Sequence, residues 1–236
     1  MAERIILHCD LNNFFASVSL LSNPTLYDMP VAVCGSVEAR HGIVLAKNEK
    51  AKKFGVKTAE AVWEAKRKCP ELVTLPPDYK KYHEYSLKAR EIYARYTDLI
   101  ANKIKEDIKC ELGITISVGV SFHKVFAKLG SDMNKPDAVT VLSRDNFKQK
   151  VWPLPVNDLL FDGKKTAEKL NQNGIFTVGD VTRCEDEMLN RLLGKAGAQL
   201  KRYALGEDNS PVMPPHEDDM PKSIGRTVTP PSDITN

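Results

Sequence analysis

Long apolar runs are missing from this chain of 236 residues. None approaches the ~20 positions that a membrane-spanning helix needs. The opening MAERIILHCD also lacks the charged-then-apolar layout of a secretory leader. Cysteine is sparse: Cys9, Cys34, Cys69, Cys110 and Cys184 lie far apart with no C-x-x-C pair. That argues against a disulfide framework and a zinc knuckle, and fits the reduced thiols of a cytoplasmic protein. Charge of one sign is missing too. The net charge of +3 permits a nucleic-acid partner without requiring one. Ordinary apolar and charged fractions exclude wholesale disorder, and the chain shows no internal repeat.

Where the charge sits says more than its sum. Basic residues crowd into Lys47–Lys53, Lys66–Lys68, Lys80–Lys81, Lys124–Lys135 and Lys164–Lys169, while acids gather at Glu217–Asp219. Such clusters form either one phosphate-facing surface or several solvated helix faces.

Apolar periodicity predicts a strand over Arg4–Leu11 and a helix over Asn13–Leu21,. Strands follow at Val31–Cys34, Ile43–Ala46 and Leu72–Leu75, with helices at Asn48–Phe54 and Ala59–Lys68 between them,. Tyr79–Ile100 reads as a long amphipathic helix whose stripe of Tyr82, Tyr85, Ala89, Ile92, Tyr93 and Tyr96 is the pattern of core packing,. Ala101–Leu112 is helical and ends at Gly113, Ile114–Val120 alternates as a half-buried strand, and Val125–Ser131, Ala138–Leu142 and Arg144–Val151 read as helix, strand and helix,. From Trp152 strand signals stop, and four short helices follow: Thr166–Asn173, Val178–Arg183, Glu187–Leu193 and Ala196–Leu205. Asn209–Pro221 has linker composition, and Lys222–Asn236 begins a new strand-like unit,.

Three motifs carry chemistry. In His8-Cys9-Asp10-Leu11-Asn12-Asn13-Phe14-Phe15, an aspartate closes a buried strand, where its carboxylate either faces a divalent metal or caps the next helix. In Gly119-Val120-Ser121-Phe122-His123-Lys124, continued to Lys135-Pro136-Asp137, a strand turns into a helix and a lysine follows it. That arrangement suits triphosphate oxygens, although such a lysine is more commonly just exposed. Around Gly163-Lys164-Lys165-Thr166 and Gly174…Gly179, glycine turns between short helices either cap those helices or offer N–H groups to DNA phosphates.

Taken in order, D-x-x-x-F-F-A, N-x-x-A-K-K-F-G-V-K, S-V-G-V-S-x-x-K-x-x-A-K-x-x-S-D-x-x-K-P, T-A-E-K-L-x-x-x-G-I-x-T-x-G-D and K-S-I-G-R resemble the Y-family, DinB-like lesion-bypass DNA polymerases (the DNA polymerase IV and ImpB/MucB/SamB group). The resemblance covers nearly the whole chain. It implies an α/β fold: a right-hand core with a mixed-sheet palm (residues 1–22 and 76–151), small fingers (23–75) and a helical helix-hairpin-helix thumb (152–221). Residues 222–236 would start a little-finger domain whose remainder is absent. The implied activity is template-directed translesion synthesis, with nucleotidyl transfer from a dNTP to a primer 3′-OH during damage tolerance. Asp10 and the Leu11 carbonyl would hold Mg2+ at a two-metal site. Phe15 would be the steric gate against ribonucleotides with Phe14 beside it, and Lys52 and Lys135 would contact the triphosphate. Gly163, Lys164, Lys165, Thr166, Gly174 and Gly179 would hold DNA. Implied partners are primer–template DNA, a dNTP and a sliding clamp reached through a region outside this chain; a monomer without membrane contact is expected.

The chain departs from that pattern in places. Many relatives carry tyrosine and arginine where Glu49 and Lys52 stand, and glycine and an apolar residue where Phe161 and Asp162 stand. Lysine offers a point charge rather than a bidentate fork. The largest departure lies between Ile100 and Ala101. Relatives place there two palm strands with an adjacent Asp-Glu pair and then the opening of a helix, about 25 residues from ordinary element lengths. Glu106–Asp107 are the nearest acids, but they sit on the exposed side of a lysine-rich helix. A palm sheet without those strands would leave apolar faces and backbone groups uncovered, which favours a parent protein that carries the segment. The alternative is a catalytically inactive DNA-binding remnant. A purely protein-interacting module would leave the basic hairpins without a use.

Overall fold

The computed structural model describes residues 4–35, 42–94, 101–159 and 164–212. Strand β1 (Ile6–Leu11) leads into helix α1 (Phe14–Leu21). Strands β2 (Val31–Cys34) and β3 (Val44–Lys47), helices α2 (Glu49–Lys53) and α3 (Val62–Lys68), and strand β4 (Val73–Leu75) follow. Then come α4 (Tyr79–Ala94), α5 (Ala101–Leu112), β5 (Ile116–Ser121), α6 (Lys124–Met133), β6 (Val139–Leu142) and α7 (Phe147–Val151). Four helices complete the order: α8 (Lys164–Asn171), α9 (Val178–Arg183), α10 (Asp186–Leu193) and α11 (Lys195–Leu205). Two short 3-10 turns, Pro24–Leu26 and Val156–Asp158, have no counterpart in the apolar pattern. The distal end of the expected Tyr79–Ile100 helix lies outside the described residues.

The chain divides into two compact units. One holds β1 as far as Asp10, the first half of α5 and the described residues from Thr115 onward; the other holds Leu11 through α4 and the second half of α5. In the second unit the sheet has the order β3-β2-β4, with β2 antiparallel to β3 and parallel to β4. Every residue of β2 is buried, as its unbroken apolar run VAVC requires of a central strand. Its core is Ala32, Val44, Ala51, Val56, Val62 and Leu72. Asn48 caps α2 by accepting from the Ala51 amide at 2.9 Å, accepts from the Val31 amide at 3.0 Å, and donates to the Met29 carbonyl at 2.8 Å. One side chain thereby fixes the helix start against the strand. Helix α3 starts at Val62, later than its periodicity suggests, because Ala59 takes a left-handed φ of 66° and Ala61 is extended.

In the first unit the described sheet runs β1-β5-β6, with β5 and β6 parallel from Val118↔Val139 to Ser121↔Leu142. Helix α6 lies directly on this sheet, and Gly119 and Gly130 explain how. A Cβ on Gly119 would stand 1.7 Å from the Ala127 carbonyl oxygen, and one on Gly130 would stand 3.3 Å from Gly119 Cα. Two glycines therefore let strand and helix backbones touch. The apolar side of α6 joins α7–α11 in one cluster through Phe122, Phe126, Phe147, Val178, Leu189 and Leu200. Trp152 ties into it, its indole N–H donating to the Ala204 carbonyl at 3.1 Å. No described helix is long and apolar enough to cross a membrane.

Candidate functional site

The site residues of the first unit gather at the end of β1. Ser131 on α6 donates its hydroxyl to the Lys128 carbonyl at 2.7 Å and lies 3.0 Å from His8 Nδ1. The single hydroxyl proton is thus committed, so His8 must donate from Nδ1. Burial, with the Lys128 ammonium beside it, pushes the His8 pKa down and favours that neutral ring. The bond pins α6 to β1, and past the end of α6 Lys135 reaches Asp10. Its ammonium hydrogen-bonds the Asp10 carboxylate and meets Asp132 Oδ1 at 2.7 Å. Burial opposes the Lys135 charge, but the bonds to Asp10 and Asp132 outweigh it and hold its pKa above the usual lysine value. Lys135 is therefore a fixed cation shared by two carboxylates.

This donor set does not fit a pair of divalent metal ions. Among the described residues no group of three or more His, Cys, Asp or Glu side chains is placed to hold one. Asp10 already has an ammonium as its counter-ion. Glu106, expected on the exposed side of its helix, is exposed and pairs with Lys105 at 3.3 Å.

In the second unit Asn13 turns the chain into α1 with a left-handed φ of 50°, and Phe14 and Phe15 open that helix. The Phe15 ring stacks on Tyr82 at 4.0 Å with planes 8° apart. Tyr82 is buried, and its hydroxyl is 2.8 Å from Ser19 Oγ. Tyr79 stands edge-on to both rings at 6.1 and 6.0 Å and is exposed. Tyr82 therefore does more than fill the core stripe read from the sequence: it is the plate against which Phe15 rests. Beside Phe15 opens a cleft of 230 Å³ lined by Asn13, Phe14, Phe15, Leu45, Ala46, Lys47 and Thr58. Of its two nearby lysines, Lys47 lines the cleft and donates to Thr58 Oγ1 at 3.0 Å. Lys52 is 54% exposed and pairs with Glu49 at 3.7 Å. From the basic run Lys47–Lys53 the resemblance singles out Lys52, whereas the residue that lines the cleft is Lys47, at the end of a short strand.

The third group lies on α8 and α9. Gly163 lies outside the described residues; Lys164 begins α8, Lys165 is exposed and Thr166 half-buried. Gly174 takes a φ of 78° in the turn, with open space around it. Gly179 serves a packing role, for its N–H donates to the Trp152 carbonyl at 2.9 Å and a Cβ there would stand 3.2 Å from that oxygen. That amide is not free for a phosphate. The Thr177…Asp180 pattern is a reciprocal cap: Thr177 Oγ1 accepts from the Asp180 amide at 3.1 Å, and the Asp180 carboxylate accepts from the Thr177 and Phe176 amides at 2.8 and 3.0 Å,. The bond from the Thr177 amide, chief among these, holds the Asp180 pKa down at about 2.

Comparison with known proteins places these features. A family model described as impB/mucB/samB family matches residues 9–102. DNA polymerase IV of Acetivibrio thermocellus is 52% identical over 260 aligned positions, which include 99% of this chain and 65% of that protein. DNA polymerase IV 1 of Bacillus subtilis is 38% identical over 251 positions, with 96% and 60% covered. The chain thus spans a little under two thirds of the length of these curated relatives. Among solved structures, DinB from Sulfolobus solfataricus shares the fold at a TM-score of 0.80 and 24% identity, with 88% of this chain and 69% of that one covered. An insertion ternary complex of Dbh DNA polymerase gives a TM-score of 0.81 at 25% identity, with the same coverage. The match to the impB/mucB/samB family model thus lies in residues 9–102, and the similarity to DNA polymerase IV of Acetivibrio thermocellus extends along almost the whole chain.

Proposed function

We propose that this chain is the core of a template-directed translesion DNA polymerase. The observation that carries the reading is the 52% identity to a DNA polymerase IV along 99% of the chain. In the proposed reaction a primer 3′-oxygen bonds the α-phosphorus of a dNTP, the bond to the β-phosphate breaks, and pyrophosphate leaves with the hydroxyl proton lost to solvent. Phe15, braced by Tyr82, would bear on the sugar and exclude a 2′-hydroxyl, with Phe14 beside it. Lys47, in the cleft wall, and Lys52, on α2, would meet phosphate oxygens. Lys165, Thr166 and the amides opening α8 would hold a DNA backbone through a sequence-independent contact. Palm, fingers and thumb would be the segments 1–22 with 76–151, 23–75 and 152–221.

A second reading has its own support. Asp10 is the only carboxylate the described residues bring to the end of β1 besides Asp132, and Lys135 bridges the two. The alignment with the Acetivibrio relative runs over 260 positions against 236 residues here, so at least 24 positions have no counterpart in this chain. That length accommodates two strands, their turn and the opening of a helix. A chain truly without them would be a DNA-binding remnant rather than an enzyme.

Primer extension on undamaged and lesion-bearing templates, run with the intact mass of the same preparation, separates the readings. Extension by a protein several kilodaltons above 26.4 kDa supports the polymerase with a longer parent chain. A matching mass with no extension but salt-dependent binding of primer–template DNA supports the remnant. Absence of both extension and binding refutes both.

A further inference from the structure

The cleft beside Phe15 contains a charge balance that the proposed reaction does not explain. Lys47 stands in its wall, and Lys52 stands on α2, close enough for its charge to act on Lys47. Burial lowers the pKa of Lys47, and the neighbouring Lys52 ammonium lowers it further, while Glu49 and Glu60 act in the opposite sense. The two cations therefore feel each other, and Glu49 sits within reach of both fields. Its placement is built: Oε1 accepts from Asn13 Nδ2 at 3.0 Å, and Asn13 itself lines the cleft. The same carboxylate oxygen stands 3.7 Å from the Lys52 ammonium. A negative charge is thus tethered to the cleft wall and directed at the cation that a polyphosphate would seek.

We propose that Glu49 is a positioning residue that acts as an internal competitor for the phosphate chain, neutralising Lys52 and holding Asn13 in place while the cleft is empty. This rests on the reading of the cleft as a nucleotide site. A triphosphate must draw Lys52 away from Glu49 and tolerate the carboxylate nearby, so weak ground-state binding is set by one side chain. Glu49 touches no reacting atom; it works through Lys52 and Asn13.

Glu49→Gln isolates the charge, because the amide oxygen still accepts from Asn13 while the negative charge is gone. Binding of inorganic tripolyphosphate, and separately of dATP, would be measured by titration calorimetry on the full chain for the parent, E49Q, K52Q and E49Q/K52Q. The expected result is that E49Q binds tripolyphosphate about three- to tenfold more tightly than the parent at low ionic strength, the size of one screened charge against a polyanion at such separations. The gain should shrink as salt rises and vanish in the K52Q background. A merely structural role would give no salt dependence and no dependence on Lys52. Equal or weaker binding by E49Q overturns the proposal, as does a gain that persists without Lys52. If the gain appears with tripolyphosphate but dATP does not compete for the same site, the competitor role stands and the nucleotide reading fails.

Discussion

Gly119→Ala is the sharpest test of how this molecule is assembled. The added methyl would stand 1.7 Å from the Ala127 carbonyl oxygen and 2.5 Å from the Ser131 amide nitrogen, both backbone atoms of α6, whereas real Cβ contacts stay beyond 3.0 Å. No rotamer relieves this. Helix α6 must rise from β5 by roughly 1.3 Å, and forced separation of packed backbone costs about 1–3 kcal/mol. The Ser131–His8 hydrogen bond at 3.0 Å cannot survive that shift, at a further cost of about 1 kcal/mol. We expect about 2–4 kcal/mol in total, a large part of the 5–15 kcal/mol that holds a typical domain. In a chain of this size it should lower the melting temperature by roughly 4–16 °C. Urea unfolding followed by circular dichroism gives the free energy directly. Gly174→Ala is the internal comparison: nothing lies within 4 Å of the new methyl, and only the φ of 78° resists it, so about 1 kcal/mol is expected. A G119A protein within 1 kcal/mol of the parent, or one no less stable than G174A, would refute the account of α6 seating.

Other outcomes follow from the same geometry. His123 is fully buried and caps α6 by accepting from the Phe126 amide at 3.4 Å, and burial drops its pKa to about 4. The fold favours the neutral ring, so its contribution is complete above pH 6.5 and is lost as pH falls towards 4. The stability of the parent relative to His123→Asn, which keeps a capping oxygen, should fall by about 3 kcal/mol across that window in paired urea titrations; a constant difference would contradict this. Thr177→Ala removes one half of the α9 cap and should cost about 1 kcal/mol in the same assay. Phe15→Ala should weaken discrimination against ribonucleotides in primer extension by about tenfold or more, and unchanged rejection would remove Phe15 from the gate. Lys165→Gln should reduce affinity for primer–template DNA alike on all sequences and lower the log–log salt slope by about 1.

Much of the fold could be read from local pattern. Strand β2 matches its apolar run residue for residue, because a fully buried strand leaves no room for polar interruption. Helix α1 and strand β6 sit where periodicity and turn residues bound them. Strand β3 is displaced by one residue, since Ile43 forms only an isolated bridge to Ala61. The site was legible by residue type but not by partnership. Asp10, Phe15 and Lys135 stood out in the sequence, and Asp132 lies three positions before Lys135, yet nothing local says that Lys135 is held by Asp10 or that Phe15 stacks on Tyr82, residues separated by many positions. Helical spacing shows only that Tyr82 faces inward, not which ring it meets. Gly179 reads as a turn glycine in the sequence but lies inside α9, where its packing on Trp152 depends on a tertiary contact.

The bare backbone contact between Gly119 and Gly130 also has a consequence for motion. Where side chains separate a helix from a sheet, rotamer changes give each element room to fluctuate alone. Here no such cushion exists, and strand and helix must open as one body. The central amides of β5 and those of α6 facing it should therefore exchange with solvent at a common rate that tracks global unfolding, while the turn at Gly174, bordered by open space, exchanges locally and far sooner. The end of β1 is thus built on the slowest-opening part of its unit, and the α8–α9 turn on one of the quickest.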